Sequence, residues 1–138
     1  MRPIAFRFGL RGRRWGDAGP TVLVLHGGGT MPWIVAQLIE PLVAAGRQVI
    51  ALDDPTDASA GEAERVAEYA AAVAEAAVEL RQLDAVVGHG LGAAAAAQAL
   101  SGSLAPERSV LLPSDAVADR DDILDELLER EPVLRLAA

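Results

Sequence analysis

The chain has 138 residues, of which 51% are hydrophobic and 23% are charged, and its formal net charge is −8. This length and composition predict one globular domain over residues 1–138, large enough to build a core without disulfides. Cysteine is absent, which excludes thiol nucleophiles and thiolate metal sites. The acidic balance argues against a nucleic acid partner, because binding a phosphate backbone requires positive charge.

No segment has the pattern of a secretory signal or a membrane span, so we expect a soluble, cytoplasmic protein without a membrane partner. All 12 basic residues are arginine, a bias typical of a GC-rich genome and equally of deliberate redesign. Five of these arginines open the chain, whereas Asp115–Glu131 holds eight acids and two arginines. This pattern predicts two solvated surfaces of opposite charge that attract each other.

The first half of the chain predicts two strands and a helix. Pro3–Leu10 alternates apolar residues, which favours an edge strand followed by a turn-rich basic stretch. Thr21–Leu25 is a continuous apolar run stopped by glycines, which is typical of a strand buried on both faces. Thr30 is predicted to cap a helix that runs to Gly46 and is kinked or broken at Pro41.

The second half continues the alternation of strands and helices. Ser59 and Glu62 have the spacing of a capping box. The predicted elements are, in order, strand Gln48–Leu52, a long helix after Ser59, strand Asp84–Val87, helix Ala93–Leu100, strand Ser109–Leu112 and helix Asp121–Arg130. Such alternation predicts a Rossmann-like, three-layer α/β/α sandwich with a mostly parallel sheet of about five strands. Ligands of such sheets bind at the carboxyl ends of the strands.

Four segments at these strand ends resemble the α/β-hydrolase family, over roughly residues 3 to 118. The segments are Thr21–Gly29 (TVLVLHGGG), Ala45–Asp53 (AGRQVIALD), Asp84–Gly92 (DAVVGHGLG) and Ser109–Pro113 (SVLLP). The resemblance implies a truncated hydrolase fold, in which the strand Thr21–Leu25 lies between Gln48–Leu52 and Asp84–Val87. It also implies an HGGG oxyanion loop and a G-x-S-x-G nucleophile elbow.

Carried over residue by residue, the resemblance makes the N–H groups of Gly28 and Leu91 the oxyanion-hole donors and places the nucleophile at position 90. Residue 90 is glycine, which has no hydroxyl group. The family's general base is a histidine beyond two further strands, and the histidines of this sequence are His26 and His89. The resemblance therefore implies a hydrolase-like domain without its serine nucleophile and catalytic histidine.

His89 and Asp115 are the weaker candidates for acid or base roles. His89 occupies the variable position of the elbow, and Asp115 follows the strand after which some hydrolases place the triad acid. The alternative for Asp115 is to cap the last helix, and His26 is expected to order its loop by hydrogen bonding. A two-histidine metal site with Asp53 or Asp115 lacks a ligand-spacing motif, so no metal and no cofactor are predicted.

Three functions remain open from the sequence. The first is an inactive hydrolase-like domain, either a shortened relative or an engineered scaffold, with a small acyl or ester ligand at the strand ends. The second is an active ester or acyl hydrolase with an unrecognised or partner-completed site. The third is a nucleotide-binding domain, because Gly88-x-Gly90-x-x-Ala93 fits a dinucleotide fingerprint and Asp115 ends the next strand. The sequence does not determine the oligomeric state.

Overall fold

A mixed β-sheet carries the fold. The computed structural model describes residues 1–27, 31–80, 82–115 and 117–129, with Phe8 described by its backbone alone. The strands are β1 (Arg2–Ala5), β2 (Arg11–Trp15), β3 (Thr21–His26), β4 (Gln48–Leu52), β5 (Leu83–His89) and β6 (Arg108–Leu112). Their order is β1-β2-β4-β3-β5-β6, in which β1–β2 and β2–β4 are antiparallel pairs and the other pairs are parallel. The predicted position of β3 between β4 and β5 is confirmed.

Helices cover both faces of this sheet. In the described ranges they are α1 (Trp33–Ala44), α2 (Glu62–Val78), α3 (Leu91–Leu100) and α4 (Arg120–Leu128), with a 3-10 turn at Arg7–Gly9. Buried side chains of α2 and α3 share one core with the sheet, and those of α1 and α4 share the other. The predicted three-layer α/β/α sandwich is therefore confirmed. No helix within these ranges is long and apolar enough to cross a membrane.

The central strand β3 explains why two cores form. Its alternate side chains point to opposite faces, so Leu23 and Leu25 join the α2–α3 core while Val22 and Val24 join the α1–α4 core. All four are at most 1% exposed. A continuous apolar run is thus what a strand covered on both faces requires.

The sheet differs from the sequence prediction at its first edge. The predicted strand Pro3–Leu10 ends at Ala5, and the basic stretch predicted as turns contains β2, which raises the described strands from about five to six. β2 carries few apolar residues because part of its surface faces water, so hydrophobic periodicity did not reveal it. Gly12 supplies the close approach that β4 needs, since a Cβ there would collide with the carbonyl group of Ala51.

The residues that cap the helix N-termini also differ from those predicted from the sequence. The N-cap of α2 is Gly61 without a side-chain cap, and the Ser59 hydroxyl instead donates to Asp57 Oδ1 at 2.8 Å. Asp119, not Asp115, caps α4, because its carboxylate accepts from the N–H groups of Asp121 and Asp122. α1 has Pro32 at its N-cap, and Thr30, the predicted cap, lies outside the described residues.

The two charged segments lie at opposite edges of the sheet, contrary to the expectation that they attract each other. The arginine-rich segment forms β1 and β2 at one edge, while β6 and α4 form the other. Strands about 4.8 Å apart put the two edges about 24 Å from each other. That distance is about three Debye lengths at physiological salt, so attraction within one copy is largely screened.

Pro41 lies inside α1, which continues through it to Ala44, so of the predicted kink or break the break is not found. Because proline has no N–H, the carbonyl of Gln37 loses its helical donor. We expect Pro41→Ala to raise the free energy of unfolding by about 1–2 kcal/mol, since the gain in helix propensity exceeds the loss of a stiffer unfolded chain. Urea midpoints at equal slope measure this change. A lowered midpoint would show that packing of the proline ring dominates.

Candidate functional site

The tight turn between β5 and α3 is the centre of the site. Gly90 forms this turn with φ of +59° and ψ of −124°, in the region that favours glycine. Its N–H donates to the carbonyl oxygen of Leu112 at 2.9 Å, and its carbonyl accepts from the N–H of Ala93 at 3.0 Å. These bonds fix the turn to β6 on one side and to α3 on the other.

The three glycines of this turn are required for different reasons. A Cβ at Gly88 would lie 2.7 Å from Ala93 Cα, and a Cβ at Gly92 would overlap the carbonyl group of Leu25. A Cβ at Gly90 would meet only Ser114 Cβ, at the ordinary contact distance of 3.7 Å. The outer glycines are therefore fixed by space, whereas position 90 is restricted by its dihedral angles and has room for a side chain.

A cavity of about 510 Å³ opens beside this turn. It is lined by Ala60, Glu62, Arg65, Gly90, Leu91, Pro113 and Ser114. The N–H groups in the first turn of a helix lack intrahelical acceptors, and the first turn of α3 begins at Leu91. The cavity thus combines an amide donor with one carboxylate, one guanidinium and one hydroxyl group.

Arg65 is held by the loop after β4. Its Nη2 donates to Asp54 Oδ2 at 2.8 Å, and its Nε donates to the Thr56 hydroxyl at 3.0 Å. Asp54 Oδ1 also accepts from the N–H of Thr56 at 2.8 Å, a side-chain-to-backbone bond that stabilises the turn after β4. Burial raises the pKa of Asp54, but hydrogen bonds from Thr56 and the charge of Arg65 outweigh it and leave the pKa lowered.

His26 ends β3 and is only 2% exposed. Within the described part of the chain neither ring nitrogen has a hydrogen-bond partner, so the predicted loop-ordering bond from the ring is not found there. Its carbonyl oxygen instead accepts from the buried hydroxyl of Tyr69 at 2.9 Å. Burial lowers the pKa of His26 and the charge of Arg13 acts in the same direction. The backbone of Gly27 and the charges of Asp53 and Asp54 act in the opposite direction but do not outweigh burial.

The other predicted site residues are only partly brought together. Leu91 lines the cavity with Gly90, whereas Gly28, the second predicted oxyanion donor, lies outside the described residues. His89 ends β5 and is half-buried, with His26 and Leu112 as its partners in the neighbouring strands. Asp115 is exposed in the turn after β6, where Ser114 rather than Asp115 lines the cavity.

Sequence reasoning missed Arg65, Glu62 and Ser114 as lining residues. Arg65 lies on the first turns of α2, among several other charged residues, so the sequence does not distinguish it from a solvent-exposed surface charge. Ser114 follows β6 directly, and its place at a carboxyl strand end was the one signal that could have selected it. Among the described residues, no three His, Asp or Glu side chains are grouped so that they could hold a metal ion.

Substitutions at Gly90 and Gly92 should distinguish the cost of backbone strain from the cost of a steric clash. Gly92→Ala is expected to lower the free energy of unfolding by at least about 3 kcal/mol, because backbone must move. Gly90→Ala should cost at most about 1.5 kcal/mol, since strain of about 1–2 kcal/mol is offset by about 0.5–1 kcal/mol of unfolded-chain entropy. Urea denaturation measures both. Gly102→Ala, which meets only an ordinary contact at 3.5 Å, is the matched control. Equal losses at positions 90 and 92 would contradict the assignment.

His26 should make stability depend on pH. Its pKa in the folded state is lower than in the unfolded chain, so the unfolded chain binds more protons as the pH falls through about 6.5. The contribution of neutral His26 to the free energy of unfolding is therefore complete above that pH and is lost as the pH decreases further. We expect the slope of unfolding free energy between about pH 7.5 and 5.5 to be smaller in His26→Gln than in wild type. An unchanged slope would show that His26 is not responsible.

Comparison with known proteins agrees with this geometry. The chain matches the model of the alpha/beta hydrolase family over residues 22–137. Among solved structures it is similar to the thioesterase domain from the curacin biosynthetic pathway, with a TM-score of 0.57 and 24% identity over 93% of this chain and 52% of that one. It is also similar to the epoxide hydrolase VrEH1 from Vigna radiata, with a TM-score of 0.45 and 21% identity over 65% and 31% of the two chains.

The chain thus spans about half the length of that thioesterase domain. No match to a curated protein was found. The parallel order of β4, β3, β5 and β6, the tight turn at Gly90 and the match over most of the sequence lead to one conclusion. The chain belongs to the alpha/beta hydrolase family.

Proposed function

We propose that residues 1–138 form a catalytically incomplete hydrolase domain that binds a small acyl or ester compound beside Gly90 without cleaving it. The observation that supports this proposal most directly is the turn at Gly90, which has the tight dihedral angles of a nucleophile elbow but no side chain at its tip. Acyl transfer by covalent catalysis needs a nucleophilic oxygen, sulfur or nitrogen at that point. Glycine supplies none of these.

The cavity supports binding more directly than catalysis. The N–H of Leu91, at the positive end of α3, is suited to donate to a carbonyl oxygen in the cavity. Arg65 is already paired with Asp54, which leaves the carboxylate of Glu62 as the unbalanced charge of the described lining, so a neutral ester or amide fits better than an anion. Pro113 and the side chain of Leu91 supply apolar contacts for an acyl chain.

A general base is the second missing part. The described lining of the cavity contains no histidine, and Arg65 is engaged with Asp54 and Thr56. Glu62, the other charged group of the described lining, is exposed to solvent. A hydroxyl introduced at position 90 would therefore stay protonated and react slowly.

A second candidate is an ester or acyl hydrolase completed by residues outside this chain or by a partner chain. It is favoured by the coverage of only 52% of the thioesterase domain. Such a partner would have to bring a base, and a nucleophile as well, to the cavity beside Gly90. The dinucleotide alternative has less support, because Asp115 is exposed and does not line this cavity.

Ester turnover tests the proposal. We expect wild type to release no nitrophenol from p-nitrophenyl acetate above a denatured control, and Gly90→Ser to remain slow because it has no base. Ser114→Ala should behave like wild type. Steady turnover by wild type that survives repurification would contradict the proposal. Efficient turnover by Gly90→Ser would show that a base is present after all.

Binding is measured separately by an NMR titration of backbone amides with a methyl ketone, which presents an acyl carbonyl that cannot be hydrolysed. The Leu91 amide should shift most, while the amide of Gly102, at the other end of α3, serves as the control. Shifts that avoid Leu91 would remove the basis for acyl binding even if wild type is inactive.

A further inference from the structure

The contacts that hold Arg65 use only part of its guanidinium group. Nη2 donates to Asp54 Oδ2 and Nε donates to the Thr56 hydroxyl. A guanidinium has five N–H donors in a fixed plane, so these two bonds leave three donors over. Within the described ranges none of the three has an acceptor. Because Arg65 lines the cavity beside Gly90, a ligand in that cavity can accept from them.

A closed network of hydrogen bonds fixes the orientation of this guanidinium. The Thr56 hydroxyl accepts from Arg65 Nε at 3.0 Å and donates to Asp54 Oδ1 at 2.6 Å. The Arg65 side chain is only 23% exposed and that of Asp54 only 10%. A donor whose direction is set before a ligand arrives loses little conformational freedom on binding. Arg65 is therefore a preorganised donor and not a flexible surface charge.

A ligand with a single oxygen would leave part of this cavity without a partner. The N–H of Leu91, at the start of α3, is suited to one carbonyl oxygen. A ligand that fills the cavity also displaces water from the remaining donors of Arg65, and a donor left without an acceptor is costly. A second oxygen on the ligand replaces that water. Such a site discriminates against analogues that lack the second oxygen.

The charges around Arg65 favour a neutral oxygen over a carboxylate at this second position. Asp54 already pairs with the guanidinium, and Glu62 adds another carboxylate to the described lining. Asp57, in the loop between them, adds a third. One guanidinium among three carboxylates leaves a negative charge, which repels an incoming anion. A ketone or ester carbonyl accepts the same hydrogen bonds without that repulsion.

We propose that Arg65 is a ligand-binding residue of this cavity and that the ligand is a neutral acyl compound with two carbonyl oxygens, as in a keto ester or a diketone. One oxygen accepts from the N–H of Leu91 and the other from the guanidinium of Arg65. This inference rests on the proposed function, because it narrows the class of acyl compound bound beside Gly90. Arg65 contacts the ligand and takes no part in breaking a bond.

NMR titration of backbone amides with matched ketones tests the proposal. The probes are acetonylacetone and its two longer homologues, each compared with the methyl ketone of the same carbon chain that lacks the second carbonyl. We expect at least one diketone to bind about tenfold more tightly than its matched monoketone, because a hydrogen bond to a charged donor is a strong one. Levulinate, which replaces one methyl ketone of acetonylacetone by a carboxylate, should bind more weakly than acetonylacetone.

Arg65→Lys should abolish the gain from the second carbonyl and leave monoketone binding unchanged. A lysine keeps the charge beside Asp54, but the donors on its one nitrogen cannot hold Asp54 and Thr56 and also reach the ligand. Arg47→Lys is the matched control, because Arg47 is also 23% exposed and also pairs with an aspartate, Asp84, at the other end of the sheet. The control should retain the full gain.

The guanidinium resonances of Arg65 give a readout in wild type that does not depend on how a variant folds. The Nη signals should shift with the diketone and not with the monoketone. Diketones that bind no more tightly than monoketones overturn the inference, and if the Leu91 amide still shifts, the proposed acyl binding stands. A gain that survives Arg65→Lys, unshifted Nη signals or tighter binding of levulinate also overturns it. If no ketone shifts the Leu91 amide, the proposed function itself fails.

Discussion

The structure depends on how closely α3 approaches the sheet. Gly92 lies against the carbonyl group of Leu25 in β3, and Gly88 lies against the backbone of Ala93. No side chain fits at either contact, so the β5–α3 turn can pass directly over the central strands. The approach places the N-terminus of α3 at the carboxyl edge of the sheet, where the cavity beside Leu91 then opens.

Position 90 shows that the backbone dihedral angles of such a turn do not depend on the side chain at its tip. Strain at positive φ is tolerated in an active enzyme because the nucleophile must project from the turn. Here the same φ of +59° is held by hydrogen bonds to Leu112 and from Ala93, while glycine relieves the strain. The backbone of the turn therefore does not require a side chain at position 90.

The sequence predicted best where one physical signal dominated. The apolar run of β3 reflects burial on both faces and the glycines around position 90 reflect close approach, so the buried strand and the tight turn could be predicted from these residues. The order of β4, β3 and β5 was predicted from the resemblance to the alpha/beta hydrolase family. β2 was not predicted because it is rich in arginine and lacks the alternating apolar residues of a typical strand. The neighbouring strands supply most of the apolar side chains in this part of the sheet. The caps at Gly61 and Asp119 were missed because several residues could satisfy the same helix end, and tertiary contacts select among them.

The site was harder to predict than the fold because its residues come from separate elements. Arg65 reaches the cavity through its bonds to Asp54 and Thr56, eleven and nine residues earlier in the chain. Asp115 matched a family position in sequence, yet the turn after β6 leaves it exposed and turns Ser114 toward Gly90 instead. A one-residue difference in a turn thus decides which side chain lines the cavity. Composition and periodicity carry no information at that scale, whereas the path of the backbone does.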